Sequence, residues 1–268
     1  MRLKSFFVAG IALLFVSLYF TGCFETNEEV IINPDGSGMY SVSLDMSGAM
    51  SMVAMMRSAD TSGEKKDKLA VRNEVSLAEV IGEYPISDSE QKMMSPGLLR
   101  IVMHEDSSLF TMTIQCPFKS MKDLPAVRGI SRMMLADPDI MKGMQQTMSG
   151  GEQTDDGSSK QMMDVMFPAS KYFSYATTSN SIYSGISKPN DFLKTADYDS
   201  LKSYIGGEGG IFFKDTRYNI QIRTPKPITY SIGPSMRLSS DKRQVNFSYT
   251  ADSLVQIPSC AGFEVRFK

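Results

Sequence analysis

Residues 40–46 read Tyr-Ser-Val-Ser-Leu-Asp-Met, and this alternation constrains the fold more tightly than any other feature of the chain. Tyr40, Val42, Leu44 and Met46 are separated by Ser41, Ser43 and Asp45. A period of two suits a strand that buries one face and leaves the other wet. Ahead of it, "NPDGSG" carries the Pro, Asp and Gly chemistry of a tight turn, and "EEVII" ahead of that is a second short run. Residues 28–47 are therefore expected to form a hairpin.

The same pattern recurs. In 97–118, Leu99, Ile101 and Met103 alternate on one side of "EDSS", and Phe110, Met112 and Ile114 on the other. Strand-rich sequence resumes around 165–186. Near the C-terminus three more runs alternate: Tyr218, Ile220, Ile222; Val245, Phe247, Tyr249; and Phe263, Val265, Phe267. "SSDKRQ" supplies a hairpin turn, and Pro225 and Pro227 mark an edge or a strand end because neither can donate to a ladder.

Between the strands the period changes. Met46, Met50, Val53 and Met56 follow helical spacing in 47–59, whereas 60–68, with its "EKKDK", reads as a solvated loop. Ser76 with Glu79 three residues on has the form of a capping box opening a short helix. Asp123 is expected to cap a helix over 122–136, with apolar positions at 124, 127, 130/131 and 134, and a further helix is expected over 191–205. The rhythm ββα…ββα predicts an α+β fold: antiparallel sheet or sheets of β-hairpins with helices packed on one face. Residues 23–136 read as an N-terminal α+β region. Residues 137–162, including "MSGGEQTDDGSSKQ", read as a mobile linker or insertion, since they hold too little apolar surface to offset ordering entropy. Residues 163–268 are a strand-rich region expected to share a sheet with the first.

The chain opens differently. Arg2 and Lys4 precede an apolar run from Phe6 to Phe20, then come Thr21, Gly22 and Cys23. A positive start, a short apolar stretch and small residues before a processing point are the parts of an export signal. The run is shorter than the roughly 20 residues needed to span a bilayer. Thr21-Gly22-Cys23 resembles the bacterial lipobox, with Phe20 where Leu is usual. That resemblance implies a lipoprotein signal peptide over 1–22 and a mature N-terminus at Cys23 carrying acyl chains such as palmitate. Two or more chains anchor a protein stably. The expected location is the bacterial cell envelope, lipid-anchored at the outer membrane, on its periplasmic or surface face. Glu25, Glu28 and Glu29 then read as a short acidic tether beside the anchor.

Composition narrows the partners. A net charge of −2 with no basic block argues against nucleic acid. Cys116 and Cys260 lie in a compartment that permits disulfides. Cys116 continues the apolar parity of Phe110, Met112 and Ile114, whereas Cys260 sits in "IPSCAG" before the last strand. Either the two are bridged, or Cys116 is a small buried apolar residue.

No constellation carries catalysis, a metal or a cofactor. His104, the single histidine, stands beside Glu105 and Asp106 in a turn, without the Gly-x-Ser-x-Gly elbow of a hydrolase or companion ligands for zinc. The Met-rich 45–56 could suggest Cu(I), but Met at helical spacing serves as adaptable core. "DPD" and "NPDGSG" lack calcium-loop spacing, and "IGGEGG" lacks the Lys and Ser/Thr of a phosphate loop.

The order of these parts (lipobox, first strand, "DGSG" turn, Ser/Leu strand into a helix, strand pair into "CPFKSMKDL", then "TPKPI" before a terminal hairpin) resembles the LppM-type bacterial lipoprotein domain over 24–136 and 217–268. The resemblance implies an α+β envelope domain with a lipid-associated role, from a family whose members often end in a transmembrane helix; residues 137–216 have no counterpart in it. Two readings of function follow. One is a non-enzymatic lipoprotein that binds an envelope protein or an apolar ligand, on the strength of its many Met and aromatic residues. The alternative is an envelope hydrolase using carboxylates assembled by folding. Paired desolvated acids in a cleft would favour the hydrolase, and a Met/Phe/Tyr groove the binder.

Overall fold

The computed structural model describes residues 24–48, 50–51, 70–137, 173–186, 189–207 and 213–268. The signal segment and Cys23, most of the Met-rich stretch after Ser51, the loop 60–68 and the 138–162 linker lie outside the described residues.

The first strand begins earlier than its apolar run. β1 (Glu25–Ile32) and β2 (Gly38–Asp45) pair antiparallel around the expected turn, where Asn33 accepts the Gly36 amide. Thr26, Glu28, Val30 and Ile32 all point inward, so the acidic "tether" is strand. The reason is parity: Glu28 shares its face with Val30 and Ile32, and one strand cannot bury those two and expose the first.

β4 (Leu98–His104) and β5 (Leu109–Phe118) form the second hairpin, joined by β3 (Ala70–Ser76), which the alternation did not reveal. Most β3 side chains are exposed, as befits an edge strand, so they carry little apolar signal. Ser76 caps α1 (Leu77–Val80) through the Ala78 amide, while the reciprocal capping box lies at Ser87 and Glu90, opening α2 (Asp88–Met94). α3 (Leu124–Leu135) starts at Asp123, whose carboxylate accepts from the Ser120 amide and not from the helix.

The C-terminal strands complete the same sheet. β8 (Arg217–Arg223) lies parallel to β1, β11 (Gln244–Thr250) antiparallel to β8, and the short β10 (Arg237–Leu238) outside β11. The order is β10-β11-β8-β1-β2-β5-β4-β3. A second sheet, β6-β7-β12-β9, is built from β6 (Phe173–Thr178), β7 (Ser181–Ile186), β12 (Phe263–Phe267) and β9 (Ile228–Ile232). Pro225 and Pro227 sit between β8 and β9, at the strand end they were expected to mark.

Three further helices are α4 (Pro189–Phe192), α5 (Ala196–Gly206) capped by Thr195, and α6 (Ala251–Gln256) capped by Thr250. The fold is thus α+β, in two mostly antiparallel sheets. The inner face of the large sheet is covered by α3 and by the small sheet. Arg128 of α3 reaches Glu28 of β1, and Phe247 of β11 stacks on Phe263 of β12 with centroids 4.9 Å apart. The outer face remains polar.

Candidate functional site

Two polar features stand out, one on each face of the large sheet. On the inner face Glu28 is buried beneath α3. Arg128 donates through Nε to one carboxylate oxygen at 2.7 Å and through Nη2 to the other at 3.1 Å, and Arg132 donates to the latter at 2.6 Å. Arg128 and Arg132, four residues apart, share the helix face of Leu124, Ser131 and Leu135, which directs both at the sheet. The Arg128 guanidinium also lies over the Tyr175 ring, 4.4 Å from its centroid.

Burial pushes the Glu28 carboxyl upward, but Arg128 and Arg132 outweigh it, and the group stays below its ordinary range. Burial raises the Tyr40, Tyr175 and Tyr218 phenols, and takes Tyr249 to about 12. The Tyr40 hydroxyl adds to the lowering at Glu28, yet it ends without a hydrogen-bond geometry of its own, as do the Tyr175 and Ser131 hydroxyls. A carboxylate held ionised between two guanidiniums neither gives nor takes a proton near neutrality. The cluster fastens helix to sheet and is unsuited to acid–base chemistry.

On the outer face, the register aligns side chains into two rows across four strands. Ser43, Asn27, Asn219 and Ser248 form one; Ser41, Glu29, Gln221 and Asn246 form the next, extended by Arg237 of β10. Asn219 donates to Asn27 at 2.9 Å and accepts from Ser248 at 2.9 Å. Gln221 donates to Glu29 at 2.6 Å and accepts from Gln244 at 3.2 Å. These rows floor a groove of 740 Å³, rimmed by Arg217 and Ser235. The Ser41 and Ser43 hydroxyls and the Arg237 guanidinium make no side-chain bond among the described residues, which leaves donors and acceptors facing the groove.

The sequence-derived candidates fall elsewhere. Cys116 and Cys260 are both free thiols. Cys116 is buried on β5 with its Sγ 3.7 Å from the Met94 sulfur, whereas Cys260 lies near Tyr218 and Tyr249 of β8 and β11. Cys116 thus has the burial of an apolar core residue, and the two thiols are unpaired in the structure. Burial pushes its thiol up to about 12 and that of Cys260 to about 11. His104 is exposed at the end of β4, and Met46 and Met50 are buried core. Among the described residues no three His, Cys, Asp or Glu side chains gather as metal ligands, and no helix is long and apolar enough to cross a membrane.

No family model and no curated protein matches the chain. Among solved structures it is similar to the folded domain of LppM from Mycobacterium tuberculosis, determined by NMR. The match covers 92% of this chain and 91% of that one, with a TM-score of 0.39 and 8% identity.

Both polar features escaped the sequence reading. Glu28 and the Arg128/Arg132 pair were legible in principle, the first through strand parity and the second through i, i+4 spacing on an apolar helix face. The groove depends on pairing β1 with β8, residues about 190 apart, which no local pattern encodes.

Proposed function

We propose that this chain is a lipid-anchored protein of the bacterial envelope, acylated at Cys23, whose folded body is a non-enzymatic binding module. The observation that carries the binding half is the groove floored by two cross-strand rows of amide and hydroxyl side chains. Its lining favours a hydrogen-bonding ligand over an apolar one, because amides and hydroxyls left against an apolar surface would lose their water without replacement. The buried carboxylate Glu28 is neutralised by two arginines, which speaks against the hydrolase alternative.

The anchor is supported by the signal segment and the lipobox-like Thr21-Gly22-Cys23. Intact mass of membrane-extracted protein should begin at Cys23 with acyl chains, and Cys23→Ala should leave an unprocessed or soluble species; an unmodified N-terminus elsewhere contradicts it. The groove is tested by titrating soluble peptidoglycan fragments, which offer both sugar hydroxyls and peptide amides. Binding that weakens at least tenfold in Asn246→Leu and Ser41→Val, with unchanged melting, supports the module. Binding indifferent to both substitutions, or no binding, removes the groove from the account.

A further inference from the structure

The position of β1 relative to the acceptor cysteine fixes how the body meets a membrane. Cys23 is bonded to Phe24, so their Cα atoms are about 3.8 Å apart. Phe24 is 5% exposed, its ring stacks on Phe213 at 4.8 Å, and its carbonyl accepts from the Arg217 amide. β1 starts at the next residue, in the middle of the large sheet. No linker residue therefore separates the acceptor Cys23 from the packed Phe24.

The register states which residues share that end. Glu25 faces Asp45 and Asp45 faces Thr111, so Leu109, two residues before Thr111, lies at the same end of the sheet as the start of β1. His104 faces Leu109, Ala70 faces His104, and the turn Glu105–Ser107 projects beyond them. Leu109 lies two strand spacings from β1, about 10 Å. Leu109 and Val71 are 37% and 38% exposed, apolar surface at the lip of this end. At the opposite end, Lys226 lies three residues beyond Arg223, which is level with Ile31, about 23 Å from Phe24 along the strand.

We propose that the end of the large sheet bearing Leu109 and the β4–β5 turn rests on the lipid headgroups, so that the strands stand upright and the groove opens sideways, along the membrane. The proposal rests on acylation at Cys23. A ligand would then be met within the height of one domain above the bilayer.

The chain contains no Trp, so a single introduced indole reports depth without background. The acylated full chain carrying Leu109→Trp or Lys226→Trp is reconstituted in phosphatidylcholine vesicles containing a nitroxide-headgroup lipid, and floated before fluorescence is read. The expected result is several-fold stronger quenching for Leu109→Trp. Inserting about ten Gly/Ser residues between Cys23 and Phe24, a reach of about 17 Å, should abolish the difference. Protein that fails to float overturns the anchor, and the proposal with it. Protein that floats with equal quenching at both positions overturns the orientation alone and leaves the anchor intact.

Discussion

At Glu28 a carboxylate that is 5% exposed is met by two guanidinium groups and by little water. Removing one partner of a buried ion pair strands the others, so Glu28→Ala is expected to cost about 3–5 kcal/mol in urea unfolding. Replacing Glu28, Arg128 and Arg132 together by apolar residues of similar volume should recover most of that loss, because no charge is then left buried. The pH dependence follows from the lowered carboxyl. Its stabilisation is complete above the ordinary value of 4.5 and is lost as pH falls from there through the folded-state value, since protonation removes the charge Arg128 and Arg132 require. Stability of the parent protein should decline more steeply below 4.5 than that of Glu28→Gln; parallel profiles would contradict the assignment. The thiols give a third test. With Cys116 near 12 and Cys260 near 11, both are protonated at neutral pH, so alkylation of the native, unreduced protein should be slow and should end with two modified cysteines. A mature protein refractory to alkylation even when unfolded would show a bridge.

At the scale of single elements, the alternating strands were the most legible part of the sequence. β2, β5, β8, β11 and β12 each bury the residues their period of two assigns. α3 likewise buries Leu124, Val127, Ile130 and Met134. What failed did so for identifiable reasons. β3 is a polar edge strand with no inward stripe, and Glu28 was read by its charge when its parity decided its burial. Ser87, with Glu90 three residues on, carries the full capping-box signature and bonds reciprocally, whereas at Ser76 and Glu79, with the same spacing, only the Ser76 side chain caps. Gly38 shows how tightly these elements close. A Cβ there would lie 2.0 Å from the Ile31 carbonyl oxygen and 2.3 Å from the Phe118 ring, and the backbone oxygen cannot swing aside. Gly38→Ala should therefore destabilise the protein well beyond the loss of strand propensity, visible as a lowered urea midpoint with an unchanged slope. Met50 is fully buried beside Met46, so Met50→Ala should cost about 2–5 kcal/mol while Met50→Leu costs under about 1.5, as volume-conserving swaps do.

The whole molecule is held together by pairings that join distant parts of the chain. β1, the fourth strand counted from the β10 edge, has β2 on one side and β8, residues 217–223, on the other. The outer rows of Asn and Gln side chains cross that seam, and on the inner face Arg128 meets Tyr175 while Phe247 meets Phe263. If residues 24–137 were made alone, β1 would expose a complete unpaired edge, and α3 would lose the small sheet that shields the Glu28 cluster from water. Both losses favour non-native association over folding. The N-terminal piece by itself is accordingly expected to lack dispersed amide resonances and to aggregate, whereas co-expression with 173–268 should restore a soluble complex with the parent's spectrum. Such a complex should lose its cooperative unfolding when Glu28→Ala is introduced, because the inner-face ion cluster and the β1–β8 seam then fail together. Independent folding of 24–137, with native-like chemical shifts for β1, would show instead that the parallel seam is a late addition to a sheet already stable without it.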